Sequence, residues 1–156
     1  MRLSGLSALI NLTYSNSNNR FKDSLLQQLS IEDLRDCLER LADESDLANV
    51  GKVFALLRNL VDGNNLLVES RGDELMQIVE TYVKWGDPFP LSVRSQLNHL
   101  LINLSNLPIG VAKICANGQL LRNIVLIFSD ENDLHLKTQS STIILNLLRN
   151  SGPGSH

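Results

Sequence analysis

Apolar residues recur along this chain at helical spacing. The sets Gly5/Ala8/Leu9/Leu12, Val53/Leu56/Leu57/Leu60, Leu97/Leu100/Leu101/Leu104 and Ser140/Ile143/Ile144/Leu147 each fall at i, i+3, i+4, i+7, one face of an α-helix. The middle two sets are wholly apolar. The outer two are weaker at their leading position, as terminal units of a repeat usually are. Each set holds the same phrase: Leu9-Ile10-Asn11-Leu12, Leu57-Arg58-Asn59-Leu60, Leu101-Ile102-Asn103-Leu104 and Ile144-Leu145-Asn146-Leu147. The asparagines are 48, 44 and 43 residues apart. That period belongs to α-solenoids with two or three helices per unit.

Two further pieces fit between successive long helices. Pro108, a residue favoured at the first helical position, starts a short helix over 108–115 that stops at Asn117-Gly118. The helix after it carries Leu121, Ile124, Val125 and Phe128. One unit earlier, Asn64-Asn65 opens a short segment, Gly72 breaks it, and Leu75, Ile78, Val79 and Tyr82 form the next stripe. In the first unit Asn18-Asn19 opens the short helix. Ser30 then caps a helix bearing Ile31, Leu34, Leu38 and Leu41, with Asp33 at its positive end. The single irregular connector is Trp85-Gly86-Asp87-Pro88-Phe89-Pro90, whose Phe89 is expected to fold back onto the helices. No stretch alternates like a strand, so the expected fold is all-α.

This order of short, second and long helix resembles the armadillo repeat. The stretch from Asn103-Leu104 to Ile114-Cys115-Ala116-Asn117-Gly118-Gln119-Leu120-Leu121 carries the likeness, with a glycine where the first two helices meet. Gly72 supplies the match in the second unit, whereas the first unit is longer and lacks that glycine. The resemblance covers roughly residues 3–150. It implies a right-handed α-solenoid of about three repeats (3–45, 46–90 and 91–131), with a partial unit at 132–150 ending in a terminal long helix.

In armadillo proteins the third helices line a concave groove, and asparagines like these hydrogen-bond the backbone of an extended peptide. The resemblance carries that role onto Asn11, Asn59, Asn103 and Asn146. Helical geometry places Asn103 roughly 110° from the centre of its apolar stripe, on the flank. An amide there can donate and accept, which suits a peptide group, and equally suits a tie between neighbouring helices. One turn earlier, where import receptors of the family carry tryptophan, this chain has Ser7, Ala55, His99 and Thr142, which argues against a basic import signal. Arg58, His99, Asn106 and Arg149 would line the groove as a neutral to mildly basic surface.

Composition narrows the function classes. The 156 residues are 43% hydrophobic, enough for one domain or a few repeat units. Fourteen Lys+Arg against 17 Asp+Glu leave a net charge of −3, without the basic excess of a nucleic-acid binder. No apolar run reaches membrane-spanning length. Cys37 and Cys115 make no disulfide framework, and Cys115, in the run Ile114-Cys115-Ala116, is expected to be buried. His99, His135 and His156 are scattered, so no catalytic residue is expected. The acidic corners Asp43-Glu44-Ser45-Asp46 and Asp130-Glu131-Asn132-Asp133 lack calcium-loop spacing and read as solvated; no metal or cofactor is expected. The sequons Asn11-Leu12-Thr13 and Asn103-Leu104-Ser105 lie inside helical motifs and read as incidental.

The tail 151–156 reads as a linker. Ile143, Ile144, Leu147 and Leu148 have no following helix to cover them, which suggests an excerpt of a longer array or self-association through uncapped ends. The expected function is a non-catalytic protein-binding scaffold of the cytoplasm, with the nucleus as a second compartment. The alternative is an armadillo-type factor that promotes nucleotide exchange on a small GTPase or a heat-shock chaperone.

Overall fold

A computed structural model describes residues 5–14, 16–86 and 89–151. Among them the chain forms nine helices and no strand: α1 (Leu6–Thr13), α2 (Asn19–Gln28), α3 (Ile31–Asp43), α4 (Leu47–Val61), α5 (Asn65–Tyr82), α6 (Leu91–Ser105), α7 (Pro108–Cys115), α8 (Gly118–Asp130) and α9 (Leu134–Ser151). The all-α expectation holds. Residues 152–156 of the expected linker lie outside the described residues, as do Asp87 and Pro88 of the connector.

Asparagine starts three of these helices. Asn18, Asn64 and Asn117 accept through Oδ1 from the amides of Phe21, Leu67 and Leu120, at 3.3, 3.2 and 3.0 Å. Each satisfies one of the donors that a helix start leaves unpaired. At α3, Ser30 and Asp33 form a reciprocal capping box, so Asp33 bonds directly as well as meeting the helix dipole.

The expected break at Gly72 is a bend within one helix. Arg71 leaves helical geometry (φ −125°, ψ 19°) and α5 continues through it. In the next unit the equivalent junction is open, and α7 and α8 meet at 96°. Gly110 lets α7 sit directly on the end of α6, where a methyl group would collide with the Leu104 carbonyl oxygen.

The long helices that carry the asparagine phrase pack side by side in chain order: α1 on α4, α4 on α6, α6 on α9. The remaining core helices back this row. α3 packs on α4 and α5, α5 on α7, and α7 on α6, α8 and α9. Leu56, Leu57 and Leu60 of α4, Leu100, Leu101 and Leu104 of α6, and Ile143 and Leu147 of α9 are buried between the layers. Each such side chain contributes about 1.5–3 kcal/mol by leaving water. Phe89 folds inward as expected, its ring 6.1 Å from Tyr82 and 6.4 Å from Phe54.

Side-chain hydrogen bonds between helices span 37 to 49 residues, about the spacing of the asparagine phrase, except that Lys137 reaches back nine residues to the Phe128 carbonyl. Lys22 shows the pattern. Its side chain is buried, and Nζ donates 3.1 Å to the carbonyl of Asp62, the cap residue at the end of α4. A cation at a helix C-terminus meets the negative end of the dipole.

Two burial expectations are reversed. The apolar set of α1 is not its buried face, since Ala8 and Leu12 are exposed and Leu6 and Thr13 are buried. Cys115 is exposed: it is the last residue of α7 and points about 100° away from buried Ile114. Cys37, on the inward face of α3, is the buried thiol. Among the described residues no single helix is long and apolar enough to cross a membrane.

Candidate functional site

The asparagine row lies at the seams between long helices. Asn59 is buried, 4% exposed, and its Nδ2 donates 3.0 Å to the Ile10 carbonyl and 3.2 Å to the Thr13 hydroxyl. Asn103 Nδ2 donates 2.9 Å to the Arg58 carbonyl. Ile10 and Arg58 each stand one residue before the asparagine of the preceding helix. Their carbonyls also accept from the cap amides of Tyr14 and Asp62, so the incoming asparagine takes the second lone pair. Asn146 Nδ2 donates at 3.0 Å to both the Ser105 hydroxyl and Asn106 Oδ1. Asn11 stands on the exposed side of α1, before the first seam.

The two sequons gain a structural role here. Thr13 and Ser105 each lie two residues after a ladder asparagine, and both are fully buried. The Thr13 hydroxyl donates 2.7 Å to the Leu9 carbonyl and accepts from Asn59. The Ser105 hydroxyl donates 2.9 Å to the Ile102 carbonyl and accepts from Asn146. At the seam after α4 the same position is Val61, and Asn103 uses the carbonyl alone. The signal that could have revealed this is the hydroxyl recurring at a fixed offset from the asparagine.

The structure gathers Arg58, His99 and Asn103 around the α4–α6 seam, sets Asn59 at the α1–α4 seam where it also bonds Arg58, and brings Asn106 and Asn146 together at the α6–α9 seam. Asn11 and Arg149 stand apart, on α1 and in the last turn of α9. Arg58 is held firmly. Nη1 donates 2.5 Å to Gln96 Oε1, Nε donates 3.1 Å to Asn59 Oδ1, and the guanidinium lies 6.0 Å from the centre of the exposed Tyr14 ring. His99, on the outward face of α6, is held below the ordinary histidine value of 6.5. Loss of water on its packed side is the largest cause and nearby Arg58 adds to it; His135 acts the same way and Asp62 opposes. The result is a preorganised cation beside an aromatic ring and a neutral imidazole at neutral pH.

A second cluster was not anticipated. Trp85, in the connector after α5, donates 2.5 Å from Nε1 to Asp130, and Arg94 pairs with Glu131 at 2.7 Å. Tyr82, Phe89, Leu97 and Ile127 help line an open pocket of about 320 Å³ beside them. The acidic corner at 130–133, expected to be solvated, therefore holds earlier elements: Asp130 the connector after α5 and Glu131 the start of α6. Asp130 and Glu131 do so because each lies about one period after its partner, by 45 and 37 residues. That spacing, with the opposite charges of Arg94 and Glu131, was the readable signal. Among the described residues no three histidine, cysteine or acidic side chains converge as metal ligands would. No family model, curated protein or solved structure matches this chain.

Proposed function

We propose that the chain is a non-catalytic interaction module, an armadillo-like solenoid that holds a segment of a partner protein across the outward faces of α1, α4 and α6. The row of long helices packed in chain order and the period-long bonds between units support the solenoid reading.

The observation that carries the binding reading is Arg58. Two side-chain acceptors fix it beside Tyr14, while Tyr14 and His99 remain exposed around it. A fixed guanidinium loses little further freedom on binding, so it suits carbonyl or carboxylate groups of a neutral to acidic segment. Asn59, Asn103 and Asn146 spend side-chain N–H groups on bonds between helices. Their contribution to recognition is to hold this face in shape, and the side chains beside them make the contact.

The test is affinity capture with the full chain, comparing the wild type with Arg58→Ala/His99→Ala of unchanged melting temperature. A partner segment lost by the double variant supports the reading. A partner retained equally by the variant moves recognition elsewhere, with the Trp85 pocket the next surface to probe.

A further inference from the structure

Each internal long helix has two working flanks. The front flank carries the asparagine and faces the preceding long helix. The back flank offers the carbonyl one residue before that asparagine and the side chain two residues after it, and it receives the next long helix. Three seams draw on these groups: α1/α4 uses both, α4/α6 the carbonyl alone, and α6/α9 the side chain of Ser105 together with Asn106.

Among the described residues two flanks are left uncovered, and they are opposite in kind. The front of α1 exposes Ser7, Ala8 and Asn11, with Leu12 beside them at 58% exposure. The back of α9 exposes Leu145 and Leu148, at 55% and 68%. Thr13, Val61 and Ser105, which occupy the position of Leu148 in the three earlier helices, are all at 0%. The leucines of α9 thus stand where every other long helix of the row is covered by the next one.

We propose that a second copy of this chain docks head to tail, setting the front of its α1 on the back of α9. Asn11 then donates to the Leu145 carbonyl, as Asn59 does to Ile10 and Asn103 to Arg58. The small side chains Ser7 and Ala8 leave room for Leu145 and Leu148. The occupant follows from continuity: the contact is a fourth seam in the register of the three present. Because front and back are different surfaces, the contact does not close on itself in a dimer and extends into chains or rings.

The test is sedimentation equilibrium of the full 156-residue chain up to about 1 mM, where weak contacts register. The wild type should rise from 17.4 kDa through multiples of that mass. Asn11→Ala should weaken assembly about threefold to tenfold, the effect of one hydrogen bond. Ala8→Arg blocks the front and Leu145→Glu/Leu148→Glu blocks the back, both at exposed positions; Leu148→Glu alone serves if the double change alters helicity. Each variant by itself should remain monomeric, and an equal mixture of the two should form a dimer and stop there. A wild type that stays at 17.4 kDa, a blocked variant that still assembles alone, or a mixture that stays monomeric would each overturn the proposal.

Discussion

The Asn103 side-chain amide meets the Arg58 carbonyl at 2.9 Å, and Arg58 in turn bonds the Asn59 carboxamide oxygen at 3.1 Å. A residue read as a ligand contact and a residue read as groove lining are thus parts of one seam. Two helices are joined through a backbone carbonyl at the end of α4, and the neighbouring guanidinium is held in place by the same asparagine row.

Replacement of the ladder asparagines should therefore act on stability before binding. Asn59→Ala removes two hydrogen bonds at the α1/α4 seam, while the Ile10 carbonyl keeps the Tyr14 amide and the Thr13 hydroxyl keeps the Leu9 carbonyl, and should cost about 1–2 kcal/mol; Asn103→Ala, half-buried with one such bond, about 1 kcal/mol. Urea unfolding followed by circular dichroism measures both. Equal and negligible costs would return these amides to a purely recognition role.

The two hydroxyls extend that expectation. A Thr13→Val/Asn59→Ala double-mutant cycle should show a coupling of about 0.5–1.5 kcal/mol, because the bond lies in a site closed to water. Additive effects would mean that the Thr13 hydroxyl serves only its own helix.

Glycine substitutions should separate by position. Gly110→Ala forces α7 off the Leu104 carbonyl and should destabilise by about 1–3 kcal/mol, since backbone cannot step aside. Gly72→Ala meets only the outer carbons of the Lys113 side chain, which can rotate away, and should change stability by less than about 1 kcal/mol. Thermal unfolding of the pair distinguishes them.

The pH response has a definite sign at His99. Its folded value lies below 6.5, so the neutral ring favours the folded state. The contribution is present above about pH 6.5 and disappears as pH falls through the folded value. Histidine NMR titration should give a depressed value for His99, restored toward 6.5 in Arg58→Ala. The melting temperature of His99→Gln should fall less than that of the wild type across the same acid range.

Much of the fold was legible because its signal is local. Leu56, Leu57 and Leu60 announce a buried helical face, and Asn64 and Asn117 announce helix starts, through spacing along a few residues. The use of Asn59 was not legible, because an amide on the flank of a stripe bonds peptide or helix according to what lies beyond it. The Trp85 cluster was hidden for a related reason: Asp130 and Glu131 sit in a corner whose composition reads as solvent-facing, and their partners lie 45 and 37 residues earlier in the chain. Cys115 misled because of its two apolar neighbours only Ile114 is buried, on another side of the helix, while Ala116 is exposed like Cys115 itself.

The matching registers at successive seams also bear on how such a chain can change length. A chain joined directly from Asn59 to Leu104 would be shorter by 44 residues, and its fused helix would keep both attachments. Asn59 would still reach Ile10 and Thr13, and Ser105 would still receive Asn146. Loss or duplication of a whole period leaves the joints matched, whereas a cut that removes part of a long helix shifts its joint out of register. The molecule is editable in steps of one unit.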